Sequence, residues 1–274
     1  MRTIAKARNG FHCIVIDPPW ENKSVDRKTA YPTFYMKRLF QLPVCDFLCA
    51  SETNDPCFTV VAIWVTNNPK ITSFVRSELL SKWKLEYSTT WHWLKCTNNG
   101  ELVCPLDTAH RKPYESAIIG IYNPHGLQVE GTDLSRSRLI ISTPSTVQHS
   151  RKPNIQPLLG ELCTSIISAP RIRKLELFAR NLSADCVSWG NEVLHHQDRA
   201  FFDPQNQDQT HKPSWIALVL LKDFHLSCGH HERFTSLLLS QYMHVGHYKK
   251  GITLPIVSDL RIKRLIINVI VWTP

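Results

Sequence analysis

Four consecutive residues, Asp17-Pro18-Pro19-Trp20, set a carboxylate, two rigid imides and a large aromatic ring directly behind the apolar run Cys13-Ile14-Val15-Ile16. An amine on an aromatic ring such as adenine is a poor nucleophile, because its lone pair is delocalised. To make it attack, a protein must draw the nitrogen toward tetrahedral geometry with acceptors held at one fixed point. The Asp17 carboxylate can accept one N–H and the Pro18 carbonyl a second, and the prolines leave both acceptors little freedom. Trp20 adds a face on which an extruded base can stack. Asp17, Pro18, Pro19 and Trp20 are therefore the candidate catalytic group. The competing reading is a stiff turn followed by a tryptophan that fills the core.

Such a tetrapeptide works only where a sheet ends and a ligand can approach. Phe11 to Ile16 reads as a buried strand that stops at Asp-Pro-Pro, which puts the motif at its carboxyl end. Glu21 to Ala30 turns polar without periodicity and reads as a loop beside the motif. Phe58 to Val65 is a second apolar strand, followed by the turn Thr66-Asn67-Asn68-Pro69 and a helix from Ile71 to Lys82. Glu86 to Leu94, Ser116 to Tyr122 and Lys174 to Phe178 read as strands, and Ile155 to Ser168 as a helix. Strands alternating with helical segments predict a doubly wound, Rossmann-like α/β sheet. A polar break sets a domain boundary near Gln197, with residues 198–274 as an unassigned tail whose apolar patches fit no further βα unit.

At 274 residues the chain can hold one large α/β domain with an appendage, and its net charge of +9 favours an anionic partner. Nine cysteines without regular spacing predict reduced thiols of an intracellular protein and no disulfide framework. The basic, polar stretch Met1 to Gly10 is no secretory signal. No apolar run reaches the roughly eighteen residues of a membrane span; Trp215 to Leu221 and Leu265 to Trp272 come nearest. Cys228, His230, His231, His244 and His247 carry metal-binding atoms but follow no finger spacing, so no metal is expected.

Three further blocks stand out: Thr90-Trp91-His92-Trp93-Leu94-Lys95, His110-Arg111-Lys112-Pro113-Tyr114-Glu115, and Lys174-Leu175-Glu176-Leu177-Phe178-Ala179-Arg180-Asn181 running into Trp189-Gly190-Asn191-Glu192. Together with the tetrapeptide they resemble the eukaryotic DPPW-type adenine-N6 methyltransferases over roughly residues 11–195. The resemblance implies a class I fold in which the catalytic motif precedes the cofactor-binding motif, as Asp17 precedes Glu176 here, with S-adenosylmethionine as cofactor. It implies that Lys152 pairs with the methionine carboxylate and that Phe178, Arg180, Asn181, Asn191 and Glu192 hold the ribose and its surroundings, with Ile16, Asp17 and Glu176 also on the cofactor side. The family places an adenine-contacting segment upstream of the tetrapeptide, where this chain has sixteen residues.

For the nucleic acid, Trp64, Asn67, Trp91, Lys95 and Lys112 fall at strand ends on one predicted edge and combine stacking faces with phosphate-pairing charge. Both tryptophans also read as core, as Trp93 does. The expectation is methyl transfer to the 6-amino group of adenine, in RNA (a small nuclear RNA among the candidates) ahead of DNA, and in the nucleus. The sequence demands neither a membrane nor a partner subunit. The rival is a nucleic-acid-binding protein that keeps this fold without activity; a third reading, methylation of a small-molecule or protein amine, fits the basic balance less well.

Overall fold

The computed structural model describes residues 3, 9–21, 35–49, 57–108, 111–129, 132–144, 151–167, 169, 171–194 and three later strands, 216–221, 252–254 and 267–272. The chain forms two compact units. The first comprises Met1–Thr89, Ser116–Ser135 and Asn154–Asp208, and the second Thr90–Glu115, Arg136–Pro153 and Gln209–Pro274.

Strand β1, Cys13–Ile16, is buried along its whole length, as is the seven-residue β2, Thr59–Val65. Continuous β-branched runs of this kind are what a strand covered on both faces requires. β1 pairs in parallel with β2 on one side and with β6, Lys174–Leu177, on the other, and β6 pairs in parallel with β7, Cys186–Trp189. Ile16 thus lies level with Ile63 and Leu177, so three strands end at one edge. β2 also pairs antiparallel with Ser116–Tyr122 of β4, whose full span is Tyr114–Tyr122.

After β2, Asn68 accepts from the Lys70 amide at 3.0 Å and Pro69 occupies the first turn, starting a helix two residues before the apolar periodicity does. It runs as α1, Pro69–Phe74, a π-helical stretch over Val75–Leu79, and α2, Leu80–Lys82. Ile71, Phe74, Val75, Leu79 and Leu80 join Ile14, Ile16, Val61, Ile63, Leu175 and Leu177 in one core cluster. α3, Gln156–Thr164, packs against β1 and β2, and the Cys13 and Cys163 sulfurs meet at 3.2 Å. The alternating side chains of β1 therefore meet helical cover on both faces, which is the Rossmann-like α/β arrangement expected.

In the second unit, His92–Lys95 of β3, Glu86–Lys95, pairs in parallel with β5, Arg138–Ser142, a strand the sequence reading did not anticipate. β8, Ile216–Leu221, β9, Ile252–Leu254, and β10, Ile267–Trp272, continue that sheet antiparallel, in the order β3-β5-β8-β10-β9. The two apolar runs nearest to a membrane span are thus strands β8 and β10, and no described helix is long and apolar enough to cross a membrane. The expected loop from Glu21 to Ala30, apart from Glu21 itself, the boundary near Gln197 and the Cys228 to His247 cluster lie outside the described residues. All eight cysteines among the described residues are free thiols.

Candidate active site

Asp17 emerges from the buried end of β1 with 9 % of its surface exposed, and its amide donates to the Leu177 carbonyl at the end of β6. Cys13, Val15 and Asp17 alternate onto the same face, and Val15 is level with Glu176. The Glu176 carboxyl therefore stands on the Asp17 side of the sheet. Burial pushes it up to about 7, the Asp17 charge adds to that, and the Ser183 hydroxyl, 3.5 Å away, pulls the other way. A carboxyl half protonated near neutral pH beside a carboxylate is typical of functional sites.

The tetrapeptide is rigidly held. The Trp20 amide donates to the Pro18 carbonyl at 2.9 Å, and the Trp20 indole N–H donates to the Trp64 carbonyl at 2.8 Å. The Pro18 oxygen keeps a second lone pair for an incoming amine. Trp20, however, is only 6 % exposed and belongs to the core cluster, so its ring is not the open stacking face anticipated.

At the ends of β6 and β7, Phe178 takes a left-handed backbone with φ of 60°, uncommon for a bulky residue and a mark of local strain. The Ala179 amide donates to the Trp189 carbonyl at 3.0 Å. A Cβ at Gly190 would lie 2.0 Å from the Ala179 carbonyl oxygen, so only glycine permits this approach. The outcome is an ion pair between Arg180 and Glu192 at 3.8 Å, with Asn181 partly buried and Asn191 exposed nearby in sequence. The first unit thus gathers Asp17, Glu176, Phe178, Arg180 and Glu192 at the carboxyl ends of β1, β6 and β7. Ile16 is fully buried and offers a ligand its backbone alone.

Within the second unit, Lys95 and Lys152 both pair with Glu115, Lys152 at 3.2 Å, and the Lys95 ammonium also sits 4.7 Å from the centre of the Trp93 ring. Lys112 donates to the Leu106 carbonyl at 2.8 Å. Trp91 is fully buried beneath the Arg138 guanidinium, and Trp64 of the first unit is 1 % exposed. Neither is a stacking platform, because packing claims both ring faces. Asn67 is exposed. Glu115 was not singled out by the sequence; its only signal was a carboxylate at the end of a basic block. No group of three or more potential metal ligands occurs among the described residues.

A Rossmann-like sheet with Asp-Pro-Pro-Trp at the carboxyl end of β1, and a polar turn at the end of β6, is the arrangement that the resemblance to the DPPW-type methyltransferases implies. The MT-A70 family profile matches residues 11–192, and the chain belongs to that family. It is 38% identical over 208 residues to the human N(6)-adenine-specific methyltransferase METTL4, covering 74% of this chain and 41% of that protein. It is 39% identical over 199 residues to the N6-methyladenosine RNA methyltransferase MTA1 of Pyricularia oryzae, covering 69% and 49%. A Caenorhabditis elegans DNA N6-methyl methyltransferase is 32% identical over 193 residues, covering 70% and 48%. The chain spans less than half the length of each of these relatives.

Proposed function

We propose that this chain transfers a methyl group from S-adenosylmethionine to the 6-amino group of adenine in nucleic acid, with RNA, including nuclear RNA, ahead of DNA. The observation that carries the reading is Asp17, buried at the carboxyl end of β1 and rigidly followed by the Pro18 carbonyl. Relatives named for RNA and for DNA adenine methylation support the substrate class.

The residues at the strand ends fit the cofactor. Carboxylates and amides at Glu176, Asn181, Asn191 and Glu192 suit ribose hydroxyls, and an ammonium at Lys152 suits a carboxylate. The cofactor supplies an electrophilic methyl group on sulfur. Asp17 accepts one N–H of the adenine amine and the second lone pair of Pro18 accepts the other, which localises the nitrogen lone pair and aims it. Burial and the neighbouring Asp17 charge hold Glu176 partly protonated at neutral pH.

The test is transfer from labelled S-adenosylmethionine to adenine-containing RNA and DNA oligonucleotides, with Asp17→Ala as the blank. The reading predicts incorporation at the adenine amine by the wild-type chain and none by the variant. Incorporation that survives Asp17→Ala sinks the assigned role, and none by a folded wild-type chain that still binds RNA favours a binding protein.

A further inference from the structure

The Arg173 guanidinium serves three neutral acceptors at one corner of the first unit. Its Nε donates to the Gly10 carbonyl at 2.9 Å, and its Nη2 donates to the Asn9 carbonyl at 3.3 Å and to the Cys49 sulfur at 3.6 Å. None of these three acceptors carries a charge. The thiol is the one among them that can answer the positive charge by giving up a proton.

A second thiol stands beside it. The Cys57 sulfur donates to the Cys49 carbonyl, while the Cys49 amide donates to the Thr59 hydroxyl at 2.9 Å and that hydroxyl donates to the Phe11 carbonyl at 2.8 Å. These bonds fix both cysteines to the segment that enters β1, where Phe11 bridges Leu48. The two sulfurs differ in character. Cys49 keeps 8% of its surface in solvent against 2% for Cys57. Burial first, and then the hydrogen bond with Cys49, push the Cys57 thiol up to about 12, against an opposite pull from Arg173. Cys57 is therefore held as a thiol at neutral pH, next to a sulfur that faces a cation. Cys13 and Cys163 also lie close, at 3.2 Å, but both are wholly buried.

We propose that Cys49 and Cys57 form a redox modification site, at which a hydroperoxide oxidises the Cys49 sulfur and Cys57 then closes a disulfide with it. In the first step the Cys49 sulfur attacks a peroxide oxygen and the O–O bond breaks. The sulfur loses two electrons and becomes a sulfenic acid, and water or an alcohol leaves with the Cys49 proton. In the second step the Cys57 sulfur attacks that of Cys49, the S–O bond breaks, and hydroxide departs with the Cys57 proton as water. Two thiols and one hydroperoxide thus give a disulfide, water and the reduced peroxide. The site lies at the amino end of β1 and Asp17 at the carboxyl end, so it stands whether or not the chain methylates adenine.

The test is to expose the reduced full chain to hydrogen peroxide, alkylate the remaining thiols and map the peptides by mass spectrometry. A Cys49–Cys57 disulfide should form first and disappear on reduction. Cys45, exposed and with its sulfur 3.9 Å from the Lys82 carbonyl, is the internal comparison, because exposure alone would make it react first. Cys57→Ser should halt the reaction at a sulfenic acid on Cys49 that dimedone captures, and Cys49→Ser should leave Cys57 reduced. Arg173→Met should slow oxidation of Cys49 about tenfold or more, with Arg173→Lys recovering most of the rate. The two cysteine variants keep the test decisive if Arg173→Met unfolds the chain. Oxidation that begins at Cys45, a disulfide that joins Cys13 to Cys163 instead, or a folded chain whose Cys49 stays reduced overturns the proposal.

Discussion

The Trp20 indole N–H donates to the Trp64 carbonyl oxygen at 2.8 Å, which ties the last residue of the Asp-Pro-Pro-Trp tetrapeptide to the end of the neighbouring strand β2. Both residues are buried, so the bond is sheltered from competing water. Trp20→Phe keeps a buried aromatic ring but removes the donor together with part of the indole's bulk. The cost should be about 1–2 kcal/mol, because the Trp64 oxygen loses its donor in the interior. Urea unfolding should register that loss. Methyl transfer should fall further than stability does, since the turn that aims the Pro18 carbonyl loosens.

Gly190→Ala forces a methyl group to within 2.0 Å of the Ala179 oxygen, a contact that backbone has to yield to. Overpacking of this kind costs about 1–3 kcal/mol. The strain falls between Arg180 and Glu192, so S-adenosylhomocysteine affinity should drop together with the melting temperature. An unchanged affinity would detach the β6 and β7 turns from the cofactor.

The pH dependence of stability should carry the signature of Glu176. Its carboxyl sits at about 7 in the fold against an ordinary value of 4.5, so between those values the folded chain binds more protons than the unfolded one. Stability is therefore fully present below 4.5 and is lost as pH rises through about 7. Glu176→Gln should remove that loss and raise the melting temperature by roughly 2–4 °C at pH 8, with little difference at pH 4.5. Melting curves at the two pH values decide it.

Trp91 distinguishes core from platform. It is fully buried, so Trp91→Ala should cost about 3–5 kcal/mol by opening a cavity. RNA affinity of the variant that remains folded should stay near that of wild type. A selective loss of RNA binding with stability preserved would restore the tryptophan to the nucleic-acid surface.

Much of the site was legible because its signals are local. The run ending at Asp17 announces a strand end by β-branched residues stopped by prolines, and the Glu176 block does the same with an apolar strand and a polar turn. The tryptophans were not legible, because an aromatic at a strand end has the same sequence whether it meets solvent or the core. Trp20 and Trp64 are decided by elements that approach from elsewhere in the chain. Strand β5 escaped notice because Arg138 opens it and Ser142 closes it, leaving a short apolar run between. Glu115 carries no local signal that Lys95, twenty residues earlier, is brought to it. The helix start at Pro69 was set by the Asn68 cap rather than by periodicity.

The parallel pairing of β1 with β6 has a consequence for how the chain acquires its shape. The Arg173 amide donates to His12 Nδ1 across 161 residues, and the β1–β6 ladder begins at the next residue of each segment. Such a contact closes a very long loop before it returns any energy, which makes folding slow. During synthesis, β1 emerges with one hydrogen-bonding edge open until nearly all of the matched region has left the ribosome. Asp17 and Glu176 therefore meet among the last events of assembly, and until then the open edge of β1 is exposed to mispairing.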